Sequence, residues 1–168
     1  YFADQGPIDH VIFTAGSAAP GGKVTDVSFD DAKQAFDTKF WGTVATAKAA
    51  ATHIRPGGTI SITSGFLSRR IVPGTYVKTA MNAAIEAVAK ILAKEFAPIR
   101  VDVIRPGLTD TEAYAGMDQS ARSAMLENAA VSLPVGRAGA PEDIADGYLF
   151  AIDNPVITGA VIDIDGGA

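Results

Sequence analysis

Short runs rich in β-branched residues alternate along the chain with alanine-rich stretches whose apolar positions recur at helical spacing. That alternation predicts strand–helix units and a doubly wound parallel α/β sheet with helices on both faces. Four strands are read: His10-Val11-Ile12-Phe13-Thr14, Thr59-Ile60-Ser61-Ile62-Thr63-Ser64, Arg100-Val101-Asp102-Val103-Ile104 and Ala160-Val161-Ile162-Asp163-Ile164-Asp165. Between the first two, a helix opened by Ser28 runs to Pro56-Gly57-Gly58, with an apolar seam through Ala32, Ala35, Phe36, Phe40 and Ala47. A second long helix carries Ala84, Val88, Ile91 and Leu92 on one face and Glu86, Lys90 and Lys94 on another, and Pro98 helps end it. Residues 112–137 read as less regular and more polar. A last helix starts near Pro141, where proline in the first turn and the acidic pair Glu142-Asp143 suit the positive end of a helix dipole.

Composition narrows the function classes. A chain of 168 residues with 48% apolar side chains makes one domain that needs no disulfide, and the absence of cysteine removes thiolate chemistry and thiolate metal sites. A net charge of −5 without a basic run argues against nucleic acid as a partner. No apolar stretch approaches the roughly 20 residues that span a bilayer, so no membrane association is expected, and the chain reads as cytoplasmic. His10 and His53 have no second ligand at metal spacing, so no metal is expected. Ser64 lacks the glycine two residues earlier that a hydrolase nucleophile turn uses.

In a doubly wound sheet, ligands sit beyond the carboxyl ends of the strands. Thr14-Ala15-Gly16, Thr63-Ser64-Gly65 and Pro106-Gly107-Leu108-Thr109 share that edge, either simply turning the chain or lining a ligand site.

Several segments, in order, resemble the short-chain dehydrogenase/reductase family over nearly the whole chain. Gly6-Pro7-Ile8-Asp9, a strand, then Ala15-Gly16 is similar to the family's fourth-strand segment, with Phe13 where the family has asparagine. The stretch Ala93 to Val101, then Arg105-Pro106-Gly107 and Thr111, resembles the helix, strand and Pro-Gly turn that follow. Pro134-Val135-Gly136-Arg137, Pro141 to Ala145, Thr158-Gly159 and Asp165-Gly166-Gly167 are similar to its C-terminal segments. The resemblance implies a Rossmann-type fold, NADP or NAD as cofactor with NADPH the first choice, a small-molecule substrate and a homo-oligomer, dimer or tetramer. The activity implied is hydride transfer between NAD(P) and a carbonyl or alcohol. A non-catalytic dinucleotide-binding sensor or scaffold is the alternative, and a purely structural subunit a third reading. The family's first strand, its glycine-rich phosphate turn and the next two strand–helix units are not in this chain. Residues 1–168 are therefore expected to be the C-terminal portion of a single NAD(P)-binding domain, with its first strand at an exposed edge.

Placing the family's catalytic positions without gaps puts its serine on Gly65, its tyrosine on Lys78, its lysine on Asn82 and its asparagine on Lys39. Lysine and asparagine look exchanged, which keeps one amine and one amide near the ribose. Tyr76 and Ser64 are displaced candidates for tyrosine and serine. The resemblance thus makes Ser64, Tyr76, Lys78, Lys39 and Asn82 catalytic candidates. Ala15, Gly16, Lys39, Asn82, Pro106, Gly107, Leu108 and Thr111 are the cofactor-binding candidates. Each has an ordinary alternative: Lys39 a solvated helix lysine, Tyr76 the cover of a helix start, Ser64 a hydroxyl bonded locally. Arg69 and Arg70 either meet an anionic substrate or face water. Tyr114, Met117, Met125 and Leu126 either shape a pocket or pack as core or lid.

Overall fold

The strands pair in chain order into a four-stranded, wholly parallel sheet. The computed structural model describes residues 2–16 and 18–168. After a short helix, α1 (Phe2–Gln5), comes the edge strand β1 (Ile8–Phe13). One continuous helical rod follows: α2 (Phe29–Phe36), a π-helical segment (Asp37–Trp41) and α3 (Gly42–Ala50). Next come β2 (Ile54–Thr63), a 3-10 turn (Phe66–Ser68), α4 (Tyr76–Glu95) and β3 (Arg100–Pro106). A second 3-10 turn (Glu112–Tyr114), α5 (Gln119–Ser132), α6 (Pro141–Asp153) and β4 (Val161–Ile164) complete the order.

Both faces of the two central strands are covered, and strand alternation sets most of their apolar side chains on one face while Thr59, Ser61, Arg100 and Asp102 are buried on the other. On one face Ile60, Ile62, Val101 and Val103 pack with Val77, Met81, Ile85 and Ala89 of α4 and Ala35 and Ala47 of the helical rod. On the other, Ile104 packs with Tyr148 and Ala151 of α6. Arg100, nearly buried, secures α6 from the sheet side by donating to the carbonyls of Ala151 and Ile152 at its C-terminal end, both at 2.7 Å. At its start, the Asp143 carboxylate accepts from the Ala140 amide at 2.7 Å and pairs with Arg137, which holds that carboxyl far below the usual carboxylate range.

Three expectations need correction. The first long helix ends at Ala50, not at Pro56-Gly57-Gly58, which already belong to β2. There the β1–β2 register shifts between Ile8 and His10, and a Cβ on Gly58 would lie 2.2 Å from the Asp9 carbonyl oxygen, so Gly58 serves close strand approach. In α4 the buried seam is Val77, Met81, Ile85, Ala89 and Leu92; Ile91 is exposed, and Glu86 turns inward while Lys90 and Lys94 face water. Residues 112–137 include the regular helix α5, because the Asp118 side chain accepts from the Ser120 and Ala121 amides and caps an alanine-rich run.

Candidate functional site

The carboxyl ends of β1, β2 and β3 bring the three glycine-containing turns together, as the sheet topology requires. Over this edge lies Lys39, in the middle of the π-helical segment, where the Gly42 amide bonds back five residues to the Asp37 carbonyl. Such a bulge adds one residue to the helix and turns the side chains around it out of the α-helical register. The Lys39 carbonyl accepts from the buried Thr43 hydroxyl at 2.5 Å, which fixes the bulge.

The Lys39 amine donates to the Ser64 carbonyl at 2.9 Å and to Asn82 Oδ1 at 2.7 Å. The two residues whose family positions look exchanged are thus hydrogen-bonded to each other. Burial pushes the Lys39 amine down to about 8, against the opposing pull of the Glu86 carboxylate. Asn82 is buried on α4, and its amide fills the space beside Gly65: a Cβ there would lie 2.9 Å from Asn82 Nδ2. Gly65 has an extended backbone, so the neighbouring amide alone keeps a side chain out. The glycine at the serine position and the asparagine at the lysine position fit each other.

Ser64 is buried and faces two ways. Its carbonyl receives Lys39, while its hydroxyl donates to Glu86 Oε1 at 2.8 Å. That bond spans 22 residues and is not a local strand-end contact. Glu86 also accepts from Ser68 at 2.6 Å and from Arg105 Nη1 at 3.0 Å, and Arg105 Nε pairs with Asp163, which Arg69 meets at 2.7 Å. Arg69 therefore forms an ion pair. The other two catalytic candidates stand apart from this cluster. Tyr76 is half-buried at the start of α4 and packs on the core, and Lys78 is exposed; among the described residues neither forms a hydrogen bond or ion pair with the cluster.

Among the cofactor-binding candidates, Ala15 and Gly16 are exposed beyond β1, and a Cβ on Gly16 would meet nothing within 4 Å. Gly107 donates to the Ile164 carbonyl at 2.9 Å, and a Cβ there would sit 2.6 Å from the Asp165 Cα, so backbone contact with the last strand requires glycine. Pro106 ends β3, the Leu108 carbonyl accepts from the Gly139 amide, and Thr111 caps the following 3-10 turn through the Ala113 amide. Of the four residues expected at a pocket, Met125 lines a cavity of about 630 Å³ between α5 and the turns after β2 and β3. Leu126, its neighbour on the helix, faces a different cavity with Arg137 and Pro141, while Tyr114 and Met117 do not line the first. Sequence reasoning missed Glu86 as the partner of Ser64 and Arg105 as the partner of Glu86; their charge within elements that cover the sheet or form it was the available signal. His10 Nδ1 lies 3.0 Å from Thr59 Oγ1, and no cluster of three or more potential metal ligands exists among the described residues. No described helix is long and apolar enough to cross a membrane.

The family model described as enoyl-(acyl carrier protein) reductase matches residues 2–168. The chain is 32% identical over 171 residues to the short-chain dehydrogenase/reductase ATR9 of Stachybotrys chlorohalonatus, covering 99% of this chain and 66% of that protein. It is 34% identical to carbonyl reductase family member 4 of Danio rerio, covering 82% of this chain and 56% of that one. Among solved structures, a small-chain dehydrogenase in complex with NADPH superimposes with a TM-score of 0.96 at 59% identity, covering 99% of this chain and 76% of that one. The chain thus spans 66% or less of the length of these two curated relatives. With its parallel sheet, its flanking helices and the ordered turns at the sheet edge, the chain belongs to the short-chain dehydrogenase/reductase family.

Proposed function

We propose that the protein is an NAD(P)-dependent oxidoreductase acting on a small carbonyl or alcohol, and that Lys39, Asn82 and Ser64 form its proton-handling centre. In this reading residues 1–168 supply the C-terminal portion of one Rossmann-type domain. The observation that carries the reading is the Lys39–Asn82 hydrogen bond at the carboxyl edge of the sheet. Family membership and the NADPH bound by a relative 59% identical support the cofactor, with NADPH ahead of NADH. The residues fit such a cofactor: the open turn at Ala15-Gly16 leaves room for a ribose, and an ammonium suits its hydroxyls.

When bound, the nicotinamide supplies the hydride that a carbonyl carbon accepts. Lys39 commits two N–H groups to Ser64 and Asn82 and keeps one for a ligand oxygen. An amine titrating at about 8 can give up a proton near neutrality, as a general acid must. Asn82 sets the direction of the amine, and Ser64, tied to Glu86, holds its second anchor. Tyr76 is the second proton carrier to test, and Lys78 the cation on its own helix. A cytoplasmic homo-oligomer, dimer or tetramer, belongs to the same reading; the exposed Phe29, Leu149 and Phe150 are apolar surface that subunit contacts would cover.

The test is titration of the full-length protein with NADPH and NADH by nicotinamide fluorescence, followed by a carbonyl screen. Micromolar binding and NADPH oxidation are expected, with Lys39→Met losing at least 100-fold in kcat and Tyr76→Phe less than tenfold, in line with one acid–base group. Absence of binding by either cofactor overturns the reading. Full turnover in Lys39→Met overturns the role of the amine.

A further inference from the structure

The chain has seven arginines, and six lie against carboxylates: Arg55 with Asp9, Arg69 and Arg105 with Asp163, Arg100 with Asp102, Arg122 with Asp110 and Arg137 with Asp143. Arg70 is the exception. Among the described residues its guanidinium has no hydrogen-bond or ion-pair partner, although acidic residues outnumber basic ones by 19 to 14.

Arg70 also lines the cavity of about 630 Å³, a volume in the range of small-molecule sites. Phe66 and Leu108 wall it from the sheet side. They directly follow Gly65 and Gly107, so the cavity opens over the same sheet edge as the Lys39–Asn82 pair. Across it, α5 presents Ala121, Ala124 and Met125, small and flexible side chains that leave a slot between the helix and the turns. Asn128 and Ser132, one helical turn apart on that face, add two neutral hydrogen-bonding groups. The lining is otherwise largely apolar, and its one charged side chain is a cation with a free donor fork.

We infer that this slot binds a carbonyl compound with an apolar body and a carboxylate group, the carboxylate being held by Arg70. The carbonyl rests on the oxidoreductase reading above; the anion rests on the cavity and on Arg70. A neutral compound of the same shape would fill the slot and leave the guanidinium without a carboxylate partner, unlike the other six. Binding in this site therefore discriminates by charge.

Calorimetric titration of the full-length protein with 4-tert-butylbenzoate and 4-tert-butylbenzyl alcohol tests this without any redox step. Wild type is expected to bind the benzoate at least tenfold more tightly than the alcohol, and Arg70→Gln to bring that ratio close to one. Ala124→Trp, which fills the slot from α5, is expected to abolish binding of both. Equal affinity of the two probes in wild type, an undiminished ratio in Arg70→Gln, or undiminished binding in Ala124→Trp overturns the inference. Steady-state reduction of 4-carboxybenzaldehyde separates the two levels: tight benzoate binding without NADPH oxidation defeats the oxidoreductase reading and leaves the anion slot standing. NADPH oxidation with the same KM for 4-carboxybenzaldehyde and 4-methylbenzaldehyde does the reverse.

Discussion

Replacing Lys39 by methionine keeps the length of the side chain and removes its titration, and the two proteins should then differ in how their stability follows pH. Burial lowers the amine from its ordinary 10.5 to about 8, which at about 1.4 kcal/mol per tenfold in proton affinity disfavours the charged form by about 3 kcal/mol. The unfolded chain binds this proton more tightly than the folded one. The penalty on folding is therefore complete below pH 8 and is relieved as pH rises towards 10.5. Between pH 7 and 10, with an allowance for solvent at its open side, wild type recovers about 2 kcal/mol of that penalty. Lys39→Met has none to recover. Groups distant from residue 39 titrate alike in both proteins and cancel in the difference. Urea unfolding of both at pH 7, 8, 9 and 10 reads that difference directly, and wild type is expected to gain on the variant mainly above pH 8. A difference that stays flat to within about 0.5 kcal/mol would mean that the amine is not desolvated in the folded protein, and the basis for its proton-transfer role would go with it.

The remaining predictions concern its neighbours. Glu86→Gln removes the carboxylate that holds the Lys39 proton in place, so the pH above which carbonyl reduction falls should move below that of wild type; breaking its pair with Arg105 should also cost about 3 kcal/mol in urea unfolding. Gly65→Ser, which restores the family's residue, should collide with the Asn82 amide and cost about 2 kcal/mol, and combining it with Asn82→Ala should recover most of that loss in a double-mutant cycle. Ser61 Oγ is buried in β2 without a hydrogen-bond partner among the described residues, so Ser61→Ala should leave the urea midpoint unchanged or raise it by up to about 1 kcal/mol of stability. A loss of more than 1 kcal/mol there would reveal a water-bridged hydroxyl.

Much of the fold is legible because the physics is local. The strands carry short β-branched runs such as Ile60-Ser61-Ile62 and Val101-Asp102-Val103-Ile104, and Ser28 and Pro141 announce helix starts that lie within a residue of their expected places. The helix α5 is not legible in this way: its alanines and polar residues form no strong stripe, and the Asp118 cap shows only once side-chain geometry is known. Gly58 reads as a helix stop for the same reason, since the approach of the Asp9 carbonyl is a tertiary fact. At the site, residue types and positions are visible, and the pairing of Lys39 with Asn82 follows from reading two family positions together. What holds the pair is not visible. The π-helical turn, the double use of Ser64 and the inward Glu86 all depend on contacts between residues 18 or more apart in the chain or on an irregularity that propensities do not encode.

The segment Asp37–Trp41 amounts to one residue more than a regular helix would hold at that point. Deleting a single residue there lets α2 and α3 join in uninterrupted register, with a better-bonded helix than the natural one. Every side chain on one side of the deletion would then rotate by about 100° relative to the other, since an α-helix completes a turn in 3.6 residues. Either Lys39 would leave the sheet edge or the Ala47 and Ala50 face would leave the core. The length of this helix is thus itself a determinant of the chemistry, and a shorter version would gain regularity at the expense of the amine's address.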